Sequence, residues 1–260
     1  MKYRNTFFVF IVALCLLSFN TEENNEKRLG FEKETEIRIP PSAQEIIDAA
    51  IKAHGGSLYD EASYSFVFRK KTYTFENGIN KYTVKYNKNG NEIYDVLENG
   101  VFSRKVNGKS ATLSTKAYNG YMEALNSVVY FATLPYKLND KAVQKKYMGT
   151  AIINESKYNV VEITFEKEGG GKDFQDNFYY WINETTNMVD YLAYSYATSG
   201  GGVRFRSAYN TRKVDGISFQ DYINWKAPIG TPLEQLPSLY EAGKLKELSR
   251  ILTEDVLPMK

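Results

Sequence analysis

Between residues 63 and 106 the chain alternates apolar and polar residues at a spacing of two. Tyr64, Phe66 and Phe68 fall on one parity, then Tyr73 and Phe75, then Tyr82, Val84 and Tyr86. That period puts the aromatic residues on one face of a sheet and the intervening Lys, Arg, Ser and Thr on the other. Four Asn-Gly steps punctuate the stretch: Asn77-Gly78, Asn89-Gly90, Asn99-Gly100 and Asn107-Gly108. Asn-Gly suits a two-residue hairpin turn that needs positive φ at both central positions, so each step predicts an antiparallel reversal. The reading is a β-meander that continues through 93–97 and 101–106.

Helical spacing occurs in three places. Ser42-Ala43-Gln44-Glu45 has the form of a capping box, Ile46, Ile47, Ala50 and Ile51 follow at helical intervals, and Gly55-Gly56 ends the helix. A second helix is expected over 121–131, carrying Met122, Leu125, Val128 and Val129 and stopped by Pro135. A third is expected over 238–252, where Leu245, Leu248 and Leu252 form a stripe. Strands resume at 147–153, 158–165, 177–182, 189–196, 203–209 and 217–225, separated by polar or glycine turns. The total is about eleven antiparallel strands, and a twisted sheet of that size curls rather than staying open. The expected fold class is mainly β (α+β): a large curved antiparallel half-barrel packed around two or three helices. No linker divides the two blocks, so 42–260 reads as one domain with a C-terminal helix.

The first residues belong to another category. Lys2 and Arg4 precede an apolar run from Phe7 to Leu17, which reads as a secretory signal over 1–18. An uncleaved N-terminal anchor is the alternative. Residues 19–41 are charged and poor in large apolar groups, the composition of a flexible lead-in. The single cysteine, Cys15, lies inside the apolar run. Either it carries a lipid or it leaves with the signal, and in both cases the mature chain has no disulfide. The expected location is across the inner membrane, in the periplasm or at the outer envelope, with membrane association if Cys15 is lipidated or the signal stays. The formal net charge of +2 also disappears with Lys2 and Arg4, leaving 31 basic and 31 acidic residues. No basic patch with interleaved aromatics stands in the sequence, so nucleic acid is not expected as a partner.

Candidate chemistry is sparse. His54, the only histidine, stands beside Gly55-Gly56, where a cation or donor suits the free carbonyls of a helix end. With one histidine and no mature cysteine, neither a metal site nor Ser-His catalysis is expected, and no cofactor is implied. The glycine-rich segment ending in Asp173 and Asp176 is open to two readings. The acids could share a cation, or they could solvate a hairpin rim and pair with Arg204 and Arg206. The two arginines are two apart, hence on one strand face, and turned inward they would need carboxylates from Asp173, Asp176 or Asp190. The aromatic face of Tyr64, Phe66, Phe68, Tyr82 and Tyr86 either fills a core or lines an apolar space.

Several segments carry a resemblance. The helix ending in Ala53-His54-Gly55-Gly56, a helix interrupting a meander, and Tyr180-Trp181-Ile182-Asn183 before a turn resemble the lipoprotein-carrier superfamily, which includes the Lol-type carriers. More specific segments cover most of 42–226: 126–131 with 134–140, Gly169-Gly170-Gly171-Lys172-Asp173-Phe174-Gln175-Asp176, 180–183, 189–194 and 200–206. These are similar to a secreted family of unknown function from Gram-negative bacteria. Val129 stands where that family has a histidine. Some relatives carry the label deoxyribose-phosphate aldolase, an enzyme that resembles a βα barrel, whereas this chain reads as antiparallel β.

The carrier resemblance implies a curved sheet closed by helices over an apolar cavity that takes a lipid or a lipoprotein acyl chain. The ligand-contacting candidates are then Tyr64, Phe66, Phe68, Tyr82, Tyr86, Tyr130, Trp181, Arg204 and Arg206, with Asp173, Asp176 and Asp190 as a polar cluster. The leading expectation is a non-catalytic envelope protein holding a hydrophobic or amphipathic ligand. The alternatives are a hydrolase or lyase working through carboxylates and tyrosines, and an envelope scaffold with no ligand.

Overall fold

Two seven-stranded antiparallel sheets dominate the computed structural model, which describes residues 40–166, 176–197 and 200–259. The signal, Cys15, most of the lead-in and Asp173 with its preceding glycines lie outside the described residues. The first sheet is built from β1 (Ser63–Phe68), β2 (Lys71–Glu76), β3 (Lys81–Lys88), β4 (Asn91–Glu98), β5 (Val101–Val106) and β6 (Lys109–Ser110). The second holds β7 (Val143–Ile153), β8 (Ser156–Phe165), β9 (Asn177–Asn183), β10 (Val189–Tyr196), β11 (Gly202–Val214) and β12 (Ile217–Ala227). The last two strands, β13 (Lys246–Ile251) and β14 (Glu254–Pro258), divide between the sheets, β13 pairing with β12 and β14 with β1. The expected curved antiparallel architecture is therefore present, with fourteen described strands.

Leu252 and Thr253 carry the chain from one sheet to the other, and Asp221 fastens this corner. Its carboxylate accepts from Thr253 N at 2.9 Å, Asn210 Nδ2 at 2.7 Å and Arg212 Nη1 at 3.2 Å. Arg212 also donates to the Thr253 carbonyl. A carboxylate with three donors stays satisfied although Asp221 is buried.

Three helices complete the molecule: α1 (Ala43–His54), α2 (Thr115–Ala132) and α3 (Leu236–Glu241). Both halves of the Ser42/Glu45 capping box form, and the Gly55 amide closes the far end on Ile51 and Lys52 carbonyls. The buried face of α1 (Ile46, Ile47, Ala50) packs on Tyr180, Ile182 and Leu192 of the second sheet. Helix α2 packs Leu125 and Val129 on Phe66, Phe75 and Phe102 of the first. Each fully buried side chain of this kind contributes about 1.5–3 kcal/mol. Helix α2 begins at Thr115, after Ser114 whose side chain caps Ala117 N, well before the expected start. Lys116, Tyr118 and Asn119 lack an apolar rhythm and hid that first part.

The second sheet is covered on both faces. Outward from α1, Trp181, Phe205 and Val203 pack beneath Leu233, Leu236 and Leu245 of the segment 228–245. This explains why Phe178-Tyr179-Tyr180-Trp181-Ile182 is apolar without alternation: every member of the run is buried.

Two expectations are corrected. The C-terminal helix is only six residues long, β13 takes 246–251 of the stretch assigned to it, and β14 follows directly after that stretch. Gly243, at φ +65°, follows the helix end, and the Leu stripe does not form a buried face, since Leu248 and Leu252 are exposed. The backbone instead supplies β12 with its missing neighbour. The Asn-Gly turns also divide. Asn89-Gly90, Asn99-Gly100 and Asn107-Gly108 have positive φ at both residues, as expected. Asn77 uses its side chain to hold the Tyr59 carbonyl at 2.7 Å, so its reversal is a 3-10 turn with Asn80 in the left-handed position. A further reversal, at Arg69-Lys70 (φ +50° and +61°), carries neither Asn nor Gly and gave no sequence signal.

Candidate functional site

The two sheets and α2 leave a cavity of about 420 Å³ between them. Strand alternation decides its lining. Phe66 and Phe68 reach it from β1, and Val128, Phe131 and Ala132 from the second half of α2. Phe178 and Tyr194 wall it on the second sheet, stacked with centroids 5.4 Å apart. On the same inner face Arg206, Gln220, Tyr222 and Asn224 make a polar side, all of them buried. Arg69 and Asp176 also contribute.

Arg206 is the chemical centre of this space. It is 8% exposed, and its guanidinium carbon lies 4.1 Å from the Phe131 ring centroid and 5.2 Å from that of Tyr194. Nη2 donates to Tyr194 Oη at 2.9 Å, while Nε has no hydrogen-bond acceptor among the described residues. Aromatic faces stabilise a desolvated cation, though less than a carboxylate would. Around it, Tyr222 donates to Gln220 Oε1 at 3.2 Å, and burial pushes the Tyr222 phenol above its ordinary range even though Arg206 pulls it down. The phenol is therefore a hydrogen-bond donor at any ordinary pH. An apolar chamber with one caged guanidinium can hold a hydrocarbon by its walls and an anionic group by its polar side.

The other expected residues disperse. Tyr64 is core, donating its hydroxyl to the Val214 carbonyl at 3.2 Å. Tyr82 and Tyr130 line a smaller space of about 200 Å³ beside Lys137 and Asp140. Tyr86 accepts from Arg104 Nη2 at 3.2 Å, away from the main cavity. Trp181 is set on the outer face, edge-on to Phe205 at 5.6 Å, because its parity in β9 is opposite to that of Phe178 and Tyr180. Of the polar cluster, Asp176 lines the cavity with Arg206. Asp190 instead accepts from Tyr158 Oη at 3.1 Å and Asn183 Nδ2 at 3.3 Å, and burial raises its carboxyl above the usual range. Arg204 needs no carboxylate either, since it donates to Tyr196 Oη at 2.6 Å and the Val203 carbonyl at 3.0 Å.

Sequence reasoning missed Phe131, Phe178, Tyr194 and the polar trio of β12. The trio had a signal: Gln220, Tyr222 and Asn224 recur at a spacing of two along β12. His54 also differs from expectation. It ends α1, but it is fully buried and its Nε2 accepts the Val189 N–H at 3.1 Å. Burial, followed by Lys213, lowers its pKa to about 4, so it is a neutral acceptor and not a helix-end cation.

The comparisons with known proteins come to three findings. Among solved structures the chain is similar to a LolA superfamily protein from Nitrosomonas europaea, at 11% identity over 74% of this chain and 88% of that one, with a TM-score of 0.42. It is also similar to a DUF1329 family protein from Desulfovibrio piger (13% identity, 72% and 87% covered, TM-score 0.40). A third likeness is to the Mycobacterium tuberculosis lipoprotein LppX (10% identity, 74% and 100% covered, TM-score 0.26). No curated protein matches the chain in sequence. The model of a family of unknown function, DUF6503, matches residues 5–253, so nearly the whole chain is covered and the protein belongs to that family.

Proposed function

We propose that this chain is a non-catalytic protein of the cell envelope that holds a hydrophobic or amphipathic molecule, a lipid or a lipoprotein acyl chain, on the inner face of its curved sheets. The observation that carries the reading is the cavity of about 420 Å³ between the sheets, walled by aromatic rings and supplied with one caged guanidinium, Arg206. Its size falls within the range of about 300–1,000 Å³ typical of small-ligand sites. Each buried methylene contributes about 0.8 kcal/mol, so ten of them offer about 8 kcal/mol before the costs of ordering are met. Arg206 gives such a ligand an orientation, with its anionic head against β11 and β12. The envelope location rests on the basic start and apolar run of residues 1–18.

Filling the space tests this. Ala132→Trp, on the α2 wall, is expected to leave the fold intact and to weaken binding of a fluorescent fatty acid by about tenfold, equivalent to about 1.4 kcal/mol. Uptake by the variant equal to that of the unmodified protein would place the ligand elsewhere, and no uptake by either would favour a ligand-free scaffold.

A further inference from the structure

A second and larger cavity, of about 830 Å³, lies between the first sheet and the first half of α2. The stacked rings of Phe66 and Tyr73, with centroids 5.4 Å apart, line one cavity each. The character of the second is basic. Lys71 reaches it from β2, Lys88 from the end of β3, Lys116 from the first turn of α2, and Arg104 from β5. Among the described residues the only carboxylate in its lining is Asp95, and both of its oxygens already accept from Arg104, at 2.6 Å each.

Among the described residues Lys71, Lys88 and Lys116 form no ion pair. Lys71 Nζ sits 4.1 Å from the Tyr86 ring centroid, which helps hold that side chain over the cavity. The helix above adds to the imbalance. Acids usually occupy a first turn, where they complement the dipole, but the first turn of α2 has none and carries Lys116. Several like charges facing one space repel one another unless an anion joins them.

We propose that this cavity is a binding site for a phosphate-class oxyanion, either free or as the head group of a larger molecule. Lysines are compact point charges and suit a compact, multiply charged anion. The one guanidinium fork, Arg104, is committed to Asp95 and is not available for planar bidentate recognition of a lone carboxylate. A single carboxylate would also leave most of the excess charge unopposed. The site does not depend on the apolar cavity being a lipid site, because its residues and its ligand chemistry are separate.

Calorimetric titration of the full chain with inorganic pyrophosphate, short-chain phosphatidic acid and the matching uncharged diacylglycerol tests the proposal. Pyrophosphate or phosphatidic acid is expected to bind at low salt and to weaken steeply towards about 1 M salt, where the screening length is about 3 Å. Binding of pyrophosphate identifies a site for the free anion, and binding of phosphatidic acid alone identifies a head-group site. In either case the triple substitution Lys71→Gln, Lys88→Gln, Lys116→Gln should cost about tenfold or more in affinity with the melting temperature unchanged. If the triple variant fails to fold, the exposed single change Lys116→Gln serves, with a loss of about threefold. Ala132→Trp should leave pyrophosphate binding intact, which separates failure here from failure of the lipid reading. Absence of binding by both anions, or binding unaltered by the lysine substitutions, overturns the proposal.

Discussion

Each sheet buries one arginine on its inner face, and the two are held in opposite ways. In the first sheet Arg104 grips Asp95 of the neighbouring strand through Nε and Nη2, with Tyr86 behind it and the Tyr121 ring 3.3 Å from its guanidinium carbon. Its charge is answered within the protein, and the hydrogen bonds to Asp95 raise the guanidinium further above its ordinary range. In the second sheet Arg206 has a phenol and two aromatic faces, and no ion pair to it forms among the described residues. The first arrangement reads as a staple between β4 and β5. The second leaves the guanidinium on the wall of the cavity that Asp176 also lines.

The largest expected effect falls on the staple. Asp95→Ala strands a buried guanidinium and should destabilise the fold by about 3–5 kcal/mol in urea denaturation. A loss below about 1 kcal/mol would mean that Arg104 escapes to solvent, and the contrast between the two arginines would fail.

Acid should separate the sheets next. His54 joins α1 to β10 of the second sheet and is the only histidine in the chain. Its folded pKa of about 4 lies below the ordinary 6.5. Between these values the unfolded chain binds a proton that the folded one refuses, so stability is complete above the higher pH and falls as pH drops. The loss amounts to about 3 kcal/mol. His54→Gln should flatten that part of the pH profile, and an unchanged slope would assign it to carboxylates.

The contrast between the sheets also explains what was legible in the sequence. The first sheet has one wet face, so Tyr64, Phe66, Tyr73, Phe75, Tyr82 and Val84 alternate with polar residues, and strand and facing can both be read directly. In β9 both faces are buried, and no periodicity could tell that Phe178 faces the cavity while Trp181 faces away. The end of the chain misled for a related reason. Leu245, Leu248 and Leu252 suit a helix, but the open edge of β12 is a tertiary demand that no local pattern displays. In the site, Phe66, Phe68, Asp176 and Arg206 were legible from parity and charge. Phe131 and Tyr194 were not, because Phe131 meets Arg206 only through the packing of α2, and Tyr194 only through the β10–β11 register.

Two smaller effects sharpen the comparison. Lys70 sits at φ +61° in the β1–β2 turn, a conformation costing about 1 kcal/mol for a residue with a side chain. Lys70→Gly should recover about that much, measured by thermal melting, with the cavity untouched. Arg206→Met should change stability by less than about 1 kcal/mol, since a buried charge with no ion-pair partner among the described residues is replaced by an apolar side chain of similar length. A large loss would make Arg206 a second staple.

The central claim is that the inner face encloses a ligand. Native mass spectrometry of the protein recovered from the cell envelope, beside the Arg206→Met and Ala132→Trp variants, tests it most directly. The account predicts a co-purifying amphiphile on the unmodified chain, reduced in both variants. A bare protein mass in all three, with no uptake of added fatty acid, would contradict it.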